Sequence, residues 1–532
     1  MSYPGGKEIV MKILLSLAFL CIVLLFFSIV ESYAQNTFYI SPTGSDSNPG
    51  TNALPWKRWA FALGRLAPGD TLIAKDGTYT RSTTGIPSII CGSNAQHGTA
   101  TEPITIKAQN ERRPMLKAGG TSGPTGLTWT AFTMQNCSWW NIRGLRFEGS
   151  DADNSQSQYN NFGGLLHIYQ SSNIKLFRLF SRRNNRYANH HLILLQSSSN
   201  ILLEESEVYD FCRHGISVAG GIKITLRRNY ANAHFYPTIP GQWPPDDPPP
   251  GPDCTANGHS IAMVLYPAKQ SGMENNITEH NGYGFLSIEP GDVPGAGSSN
   301  RFLGNMGIDN HRDVTIDNRS AAQANIVFEN HVSVNSRTVG LWNNNNGVKG
   351  LVCKNCSFID GSPIGGSPRA SVLQDLGHVS DDTVLYRNVL VINYPMEGFS
   401  IPGTWSSCRI EYTTSYHNNP NFPPHSSCTF ANISAANPNF GEPAGDRVGI
   451  GYGHCMVYIP SGNAALKGTG KGGADRGANV IYRYQNGVLT GTKLWRPFSG
   501  AFPCGVDVLG SGHRCRNVHQ RLNVGVNGCP VP

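Results

Sequence analysis

The hydrophobic and polar positions of the chain repeat in short runs and show little helical periodicity. One phrase recurs at Asn325–Val334, Gly350–Ile359 and Thr383–Ile392: a short β-type run, a tight corner with a charged residue before an asparagine, and a second β-type run. Asn305, Asn330, Asn355 and Asn388, which we interpret as an asparagine ladder, recur about every 25 to 33 residues, the period expected for one turn of a solenoid.

A third β-type run precedes the recurring phrase in each repeat. Such runs lie at Leu165–Tyr169, His191–Leu195, His214–Val218, His259–Met263, Gly284–Ile288, Asp313–Asp317 and Val339–Trp342. Three short strands per turn at this period predict an all-β chain wound as a right-handed parallel β-helix, because each coil buries its strands by stacking on similar coils. Alternation within a run then places Ile216 and Val218 inward and Ser217 outward.

The ends of the chain differ from the repeats. We expect a signal peptide over residues 1–34, an N-terminal cap with the first coils over 35–120, β-helix repeats over 121–416, and a cysteine-bearing C-terminal cap or tail over 417–532. Trp56–Leu66 is the clear amphipathic helix, and its apolar face is expected to cover the N-terminal mouth of the solenoid.

The N-terminal segment predicts export. Lys7 and Lys12 precede the apolar stretch Ile13–Val30, and Ser32-Tyr33-Ala34 offers small residues where an export peptidase cuts. Cleavage after Ala34 would give a secreted or cell-surface protein, and Met11 is an alternative start. The other interpretation is a retained membrane anchor, because the apolar stretch is long for a signal peptide.

Composition narrows the class of protein. The chain has 532 residues, 60 glycines, 34 prolines and a net charge of +7. So much glycine and proline excludes a coiled coil, and the apolar content with low net charge excludes a disordered chain. A modest positive charge suits an acidic polysaccharide as well as a nucleic acid. Nucleotide-binding loops and serine-hydrolase or zinc-protease motifs are absent from the sequence. We expect a monomer that binds polysaccharide and no nucleic acid.

Cysteines indicate an oxidising compartment. Of 13 cysteines, 12 remain once Cys21 is removed with the signal peptide, so several disulfides are plausible. The expected bridge members are Cys408, Cys428 and the three tail cysteines, Cys504, Cys515 and Cys529. Cys353 and Cys356 have the spacing of half a zinc site, but packed thiols or a disulfide to a neighbouring coil are the simpler alternatives.

The opening of the mature chain carries a family resemblance. Phe38–Gly50, Pro55-Trp56, Pro68–Leu72, Asp76–Tyr79 and Glu102–Ile106 resemble the start of secreted bacterial β-helix proteins of the pectate-lyase superfamily, in particular family 9 polysaccharide lyases. The resemblance extends to about Tyr416. The resemblance implies the right-handed β-helix fold. Members of this superfamily include calcium-dependent lyases, hydrolases, epimerases and proteins of no known activity. The resemblance assigns no catalytic lysine in this chain.

Acidic residues suggest a metal site on one strand face. Glu289 and Asp317 each follow an isoleucine on consecutive upstream runs, so we expect their side chains to stack about 5 Å apart on the surface. Together with Asp292 they offer the oxygen ligands that Ca²⁺ prefers, and Arg319 is a candidate base or carboxylate clamp for β-elimination. The alternatives are solvated surface charges, or an Asp317–Arg319 ion pair.

Further candidates lie at strand starts and on the same face. His311 and Arg312 precede the Asp317 run and are candidates for acid or base work, while Asp210 and Arg213 flank a turn and are candidate substrate contacts. Trp342 is outward by alternation and is a candidate sugar-stacking platform. Histidine recurs at the start of three predicted strands, at His191, His214 and His259. This recurrence favours a structural role in which the rings stack. The leading hypothesis is a polysaccharide-binding β-helix, with calcium-assisted cleavage of an acidic polymer as one possibility. A non-catalytic adhesion or structural β-helix protein is the competing one.

Overall fold

The computed structural model describes residues 35–118, 130–149, 163–182, 190–211, 213–233, 260–289, 299–308, 310–318, 323–336, 338–345, 348–359, 361, 372–374, 383–394, 396–401, 407–422, 428–438, 459, 463–480 and 482–493. The expected signal peptide and the cysteines of the tail lie outside these residues. Thr37–Pro532 forms one compact unit. No helix among the described residues is long and apolar enough to cross a membrane.

The first row of parallel strands contains the predicted upstream runs. Its strands are β4 (Ser88–Ile90), β7 (Phe132–Gln135), β10 (Gly163–Tyr169), β13 (His190–Gln196), β16 (His214–Ile222), β19 (Ile261–Lys269), β22 (Tyr283–Glu289), β25 (Arg312–Asn318), β29 (Val339–Asn345), β32 (Val372–Gln374) and β35 (Phe399–Ser400). Ile216 pairs in register with Ile193 and Met263, and all three are fully buried. Ile216 and Val218 thus point into the core as predicted.

The second row also contains the earliest strands of the β-helix, which precede the first strand of the first row. Its strands are β1 (Thr37–Ile40), β2 (Thr71–Ala74), β5 (Ile104–Ala108), β8 (Ser138–Arg143), β11 (Ser172–Phe177), β14 (Ser199–Glu204), β17 (Thr225–Arg227), β20 (Gly272–Glu274), β23 (Arg301–Leu303), β26 (Gln323–Ala324), β27 (Val327–Glu329), β30 (Val348–Lys354), β33 (Thr383–Arg387), β36 (Ser407–Glu411) and β38 (Thr429–Ala431). A backbone pair between Ser199 and Ile222 joins the first two rows into one 26-stranded sheet.

The third row forms a separate 12-stranded parallel sheet. Its strands are β3 (Gly77–Thr80), β6 (Pro114–Lys117), β9 (Arg146–Glu148), β12 (Phe180–Arg182), β15 (Glu207–Tyr209), β18 (Tyr230–Asn232), β21 (Ile277–Glu279), β24 (Met306–Ile308), β28 (Val332–Val334), β31 (Ser357–Ile359), β34 (Leu390–Ile392) and β37 (Thr414–Tyr416). The all-β, right-handed parallel β-helix with three strands per coil is therefore confirmed. In the interior of the β-helix, buried residues of successive coils stack on one another. The rings of Phe302 and Phe328, on successive strands of the second row, are 4.5 Å apart.

The corner between the second and third rows contains two adjacent ranks of residues. In the inward rank, the Asn229 side-chain amide donates to Asn276 Oδ1 at 3.1 Å, and Asn276 donates likewise to Asn305 Oδ1 at 3.0 Å. Asn330 and Asn355 occupy the preceding position of later coils, with φ of 52° and 53°. The predicted ladder therefore combined two ranks: Asn305 belongs to the stacked ladder, whereas Asn330, Asn355 and Asn388 make the left-handed bend.

A buried polar bridge crosses the interior where the inward asparagine rank ends. His331 continues that rank, and its Nε2 lies 2.8 Å from Asp313 Oδ2; both side chains are 1% exposed. Asn310 donates to the other Asp313 oxygen at 3.1 Å. Gly307 leaves the room for this carboxylate, since a Cβ there would lie 1.5 Å from Asp313 Oδ1. These bonds satisfy a charge that would otherwise be costly to bury.

The N-terminal cap contains a shorter helix than predicted. The helix covers Trp59–Leu63, and its residues Trp59, Ala62 and Leu63 are buried on the first coils. Trp56 instead bridges Ile40 as extended chain. The Asp46 carboxylate accepts the backbone N–H groups of residues 57 and 58, which holds this segment extended and delays the helix start. A second short helix covers Arg81–Thr84.

The described C-terminal residues 463–480 and 482–493, here called the return segment, run back along the outside of the coils. The segment contains a 3₁₀ turn at Lys471–Gly473 and the hairpin strands β39 (Tyr482–Gln485) and β40 (Val488–Lys493). Its backbone N–H groups donate to corner asparagines of successively earlier coils. These bonds are Lys471 to Asn388 at 2.8 Å, Asn479 to Asn330 at 3.2 Å and Tyr484 to Asn275 at 2.6 Å. The segment therefore lies along the side of the β-helix.

Four described cysteines form disulfides and two are buried thiols. Cys408 and Cys428, both expected to be bridge members, are bridged to each other, a pairing that the sequence left open. Cys91–Cys137 is a second bridge that the sequence did not indicate. Cys353 and Cys356 are free, fully buried and 2.8 Å apart at Sγ. Burial, together with the neighbouring thiol, raises the pKa of Cys353 well above its ordinary value. The packed-thiol interpretation fits this pair.

Candidate functional site

Outward side chains of the first row form two columns, here called the first-row outer face. Backbone register aligns one column as Thr133, His167, Leu194, Ser217, Val264, Leu286, Thr315 and Trp342, and the other as Gln135, Tyr169, Gln196, Ala219, Tyr266, Ile288 and Asp317. Neighbouring residues in a column lie about 4.8 Å apart, the spacing of adjacent strands. Leu194, Ser217, Val264, Leu286 and Thr315 in these columns are buried. A ligand could therefore contact the half-buried positions of the face but not every coil in turn.

A cation–aromatic cluster lies at the C-terminal part of this face. The guanidinium carbon of Arg312, on β25, is 4.0 Å from the Trp342 ring centroid and 5.2 Å from that of Tyr283. Arg312 also donates from Nη1 to the Tyr283 hydroxyl at 2.9 Å. Neighbouring coils thus hold the planar cation in one orientation. A fixed guanidinium suits two-point recognition of a carboxylate.

Trp342 is outward but less accessible than predicted. It stands in register with Thr315 and retains 8% of its surface exposed, and Arg312 lies over its ring. A sugar could reach the ring only if Arg312 moved. We therefore interpret Trp342 as the support that orients Arg312, whose guanidinium lies where a sugar would have to stack.

The structure holds His311 beside this cluster. His311 is half-buried, and its Nε2 lies 3.0 Å from the Thr338 hydroxyl. Its backbone N–H donates to Asn281 O at 2.8 Å, which fixes the start of β25. The imidazole is adjacent in sequence to the guanidinium of Arg312, so both predicted groups lie at the same strand start.

The expected register of the acidic pair was wrong by one residue. Glu289 pairs with Asn318, and Asp317 pairs with Ile288. Ile288 belongs to an outward cluster with Val264 and Leu286, whereas Ile316 lies in the main core. The assumption that both isoleucines point inward therefore failed. Asp317 occupies an outward position and is half-buried.

The remaining members of the predicted metal site are not placed. Asp292 and Arg319 lie outside the described residues, as does the side chain of Glu289. Among the side chains that are described, no group of three or more His, Cys, Asp or Glu residues is arranged to hold a metal ion. Asp317 is thus the described carboxylate from which a calcium site would have to be built.

Asp210 and Arg213 lie at the corner before β16, three coils from Arg312. Asp210 has φ of 53° and forms an ion pair with Arg182. Arg213 is half-buried, and its carbonyl accepts the Ile261 N–H at 2.8 Å. About 14 Å of stacked strand separates this corner from β25, so the structure does not bring the two groups of candidates together.

The histidines at strand starts stack as predicted. The rings of His191 and His214 are parallel within 8°, with centroids 4.4 Å apart, and both are buried. Register pairs His214 with Ile261, and His259 lies outside the described residues. This stack supports a structural role for the first two histidines.

A second polar group on the face was missed by the sequence reasoning. His167 Nε2 lies 2.9 Å from Gln196 Oε1, and the Tyr169 ring is 5.9 Å from the His167 ring. All three side chains are half-buried outward residues of β10 and β13. The run Leu165–Tyr169 was already predicted as a strand, so its alternation was the signal that could have found them.

Between the two polar groups the face is apolar. Ile261, Val264, Leu286 and Ile288 form a buried cluster, with Tyr266 and Tyr283 packed against it. The face therefore divides into an uncharged polar part on β7, β10 and β13, an apolar middle, and a part on β22, β25 and β29 that carries Arg312.

Family models match most of the repeat region. Residues 38–235 match the model described as the Pel9A-like right-handed β-helix region, and residues 163–360 match a general right-handed β-helix region. No curated protein matches the chain.

Several solved structures are similar to the chain at low sequence identity. XylC in complex with xylose is 10% identical with a TM-score of 0.49, covering 76% of this chain and 87% of its own. Pectate lyase Pel9A is 15% identical with a TM-score of 0.45, covering 84% and 96%. An alginate lyase from a Paenibacillus species is 15% identical with a TM-score of 0.34, covering 65% and 99%. With its parallel rows and these two model matches, the chain is a right-handed parallel β-helix protein with a Pel9A-like N-terminal region.

Proposed function

We propose that this protein is exported and binds an acidic polysaccharide along the first-row outer face, where it cleaves the polymer by β-elimination. The observation that carries the proposal is the Arg312 guanidinium, held on the outer side of β25 by Tyr283 and Trp342. The match to the Pel9A-like region supports the polymer class.

Arg312 would bind the carboxylate of a uronate unit. Its guanidinium stays charged at any physiological pH and presents parallel donors, which matches the two oxygens of a carboxylate. Neutralising that carboxylate acidifies the adjacent C–H, and a nearby base then removes the proton while the glycosidic C–O bond breaks. Arg319 and His311 are our candidates for the base. The product is an unsaturated uronate and a new sugar hydroxyl.

Calcium assistance is part of the proposal, with a weaker basis. Asp317 would be the residue that holds the ion, which would supply positive charge in addition to that of Arg312. The one-residue offset between Glu289 and Asp317 removes the in-register carboxylate pair that the sequence suggested. The described residues therefore do not form a ready ligand set, and no catalytic step is assigned to the ion.

Export has independent support in the disulfides. Cys91–Cys137 and Cys408–Cys428 are bridged, and such bonds persist in oxidising compartments. Expression with the native N-terminus is expected to release a protein whose first residue is Gln35. Recovery of the uncleaved chain in the membrane fraction would show a retained anchor instead.

The activity test uses a panel of uronate polymers with and without Ca²⁺, following the ultraviolet absorbance of unsaturated products. Wild type is expected to raise the absorbance on at least one polymer. Arg312→Ala should abolish the increase and weaken polymer binding at least about tenfold, since it removes a charge-assisted contact. Arg312→Lys should keep the charge and recover part of the binding.

Arg409→Ala is the matched control. Arg409 pairs with Glu411 and its side chain is 53% exposed on the second row, far from the proposed site. It should leave binding and cleavage unchanged while its unfolding temperature reports the cost of losing a surface arginine. Equal losses in both variants would contradict the role of Arg312.

A non-catalytic glycan-binding protein is the second candidate. The half-buried pair of His167 and Gln196 on the same face suits hydrogen bonding to a sugar and favours binding over chemistry. Binding of uronate polymers without any absorbance change, in the presence and absence of Ca²⁺, would establish this candidate and exclude cleavage.

A further inference from the structure

The N-terminal part of the first-row outer face differs chemically from the part that carries Arg312. Among the described outward positions of β7, β10 and β13 there is no Asp, Glu, Lys or Arg; they carry Thr133, Gln135, His167, Tyr169, Leu194 and Gln196. A uronate placed there would find no guanidinium or ammonium among these described outward side chains to balance its charge. An uncharged ligand needs no such counter-charge, so its binding would not be weakened there.

His167 and Gln196 are arranged as a donor and acceptor pair. His167 Nε2–H donates to Gln196 Oε1 at 2.9 Å across adjacent strands. The neutral ring then keeps Nδ1 as an acceptor, and the Gln196 amide keeps its N–H donors. A sugar hydroxyl is at once a donor and an acceptor, so this pair can satisfy it in both directions.

The protonation state of His167 agrees with this arrangement. Burial lowers the pKa of His167 below its ordinary value, and the hydrogen bond with Gln196 only partly opposes the shift. The imidazole is therefore neutral at pH 7, and it offers a lone pair to a hydroxyl where a charged ring would offer a second donor.

Tyr169 supplies the apolar surface that a sugar ring needs. It stands in the same outward column as Gln135 and Gln196, with its ring 5.9 Å from His167. Tyr169 is half-buried. An aromatic face with amides on both sides in register matches the alternating C–H and O–H surfaces of a pyranose.

We propose that His167, Tyr169 and Gln196 form a subsite for an uncharged sugar unit of the bound polysaccharide. This inference rests on the proposed function and deepens it. β10 and β25 are five strands apart, about 24 Å along the solenoid, so one chain would present neutral units here and an acidic unit at Arg312. The substrate class is a heteropolysaccharide of neutral and uronate sugars.

The experiment measures binding of two probe sets by calorimetry. One set contains neutral gluco-, galacto-, manno- and xylo-oligosaccharides of four to six units, and the other contains uronate oligosaccharides of the same lengths. Wild type is expected to bind at least one probe of each set. Tyr169→Ala and Gln196→Ala should each weaken neutral binding at least about tenfold and leave uronate binding within twofold.

Arg312→Ala should show the opposite pattern. Gln485→Ala, an amide loss at an exposed hairpin position, is the matched control and should change neither affinity. Tyr169→Phe keeps the ring and should retain neutral binding, which separates loss of the platform from loss of fold.

The two proposals fail in different ways. If uronate probes bind but no neutral probe does, or if Tyr169→Ala and Gln196→Ala leave neutral binding intact, the neutral subsite is wrong and the proposed function stands. If neutral probes bind and uronate probes do not, the acidic assignment is wrong and the subsite stands. If neither set binds, both are wrong.

Discussion

The outer faces of the first and third rows arise from the same strand alternation, yet they differ in their chemistry and in what covers them. On the third row, the outward residues Tyr230, Ile277 and Met306 form an apolar cluster that is closed by Ala478 and Val480 of the return segment. On the first row, the polar groups of His167 and Gln196 and the cation of Arg312 are only half-buried. The described third-row cluster is apolar and covered by the return segment, whereas the first-row face carries half-buried polar and charged side chains.

The difference shows how a solenoid separates stability from recognition. Each coil has three outer faces, and an apolar one must be covered to avoid exposing a large hydrophobic patch. The return segment does this for the third row, with Leu466 and Ile459 continuing the cover over Leu390 and Ile392. Changes on the third row should therefore alter folding, and changes on the first row should mainly alter binding.

The largest expected effect is a buried charge under the return segment. Val480 is 2% exposed within the third-row cluster, so Val480→Asp should lower the free energy of unfolding by about 3 to 4 kcal/mol. Val488, 64% exposed on the same segment, is the matched control, and Val488→Asp should stay within about 0.5 kcal/mol. Chemical denaturation measures both; equal effects would mean that the segment is not docked in solution.

Replacement of the tryptophan beneath Arg312 should affect both stability and binding. Trp342→Ala removes a side chain that is 8% exposed and the ring on which the guanidinium lies, so we expect a loss of about 2 to 3 kcal/mol. Uronate binding should fall with it, because Arg312 is no longer oriented. Trp342→Phe should recover part of both quantities in thermal unfolding and calorimetry. Unchanged uronate affinity in Trp342→Ala would refute the supporting role.

Low pH should weaken the contact between the return segment and the β-helix, because Lys471 of the segment pairs with Glu411. Burial by itself raises the pKa of Glu411, but Arg387 and Lys471 outweigh it and hold that pKa below its ordinary value. A carboxylate with a lowered folded-state pKa contributes stability above the unfolded pKa, and the contribution disappears as pH falls through the folded one. Glu411→Gln should cost about 1 kcal/mol at pH 7 and progressively less below about pH 4.5.

The readout is the difference in melting temperature between wild type and Glu411→Gln from pH 7 to pH 3. Glu397→Gln, at a half-buried position on another loop, provides the comparison. A constant difference across this range would show that the carboxylate does not contribute through its charge.

The smallest expected effect concerns His167 on the first row. Because burial lowers the pKa of His167, the unfolded chain binds this proton more readily, and stability falls as pH drops below about 6.5. His167→Gln should remove a part of that decline worth less than about 1 kcal/mol. Melting curves from pH 8 to pH 5 test this, with the exposed His97→Gln as control. Parallel curves for wild type and His167→Gln would contradict the shift.

Much of the fold was predictable because the repeat is local. The runs at Leu165–Tyr169 and Gly284–Ile288 became strands of the first row, and Cys408 and Cys428 were expected to be bridge members, although their pairing was left open. Alternation predicts inward and outward positions within one strand, but it does not predict the pairing between coils. Ile288 and Ile316 look alike in sequence, yet one packs on the outer face and the other in the core.

The candidate site was predictable only in part for the same reason. Arg312 and Trp342 were identified as single residues, but their contact depends on the register of β25 with β29. Hydrophobic pattern and turn geometry set that register together, so the alternation within one strand does not determine it by itself. His167 and Gln196 were overlooked because neither residue is distinctive until the register brings them together.

The sequence by itself determined the coil, because every repeat must bury the same apolar positions against its neighbours. The apolar alternation within each repeated motif encodes this requirement. Tertiary structure alone decided which faces remain open, because the covering residues come from far along the chain: Asn486 meets Arg227 across 259 positions, and Lys471 meets Asn388 across 83. No local pattern specifies contacts of that range. They form only when stacked coils present a corner for the returning chain to bind.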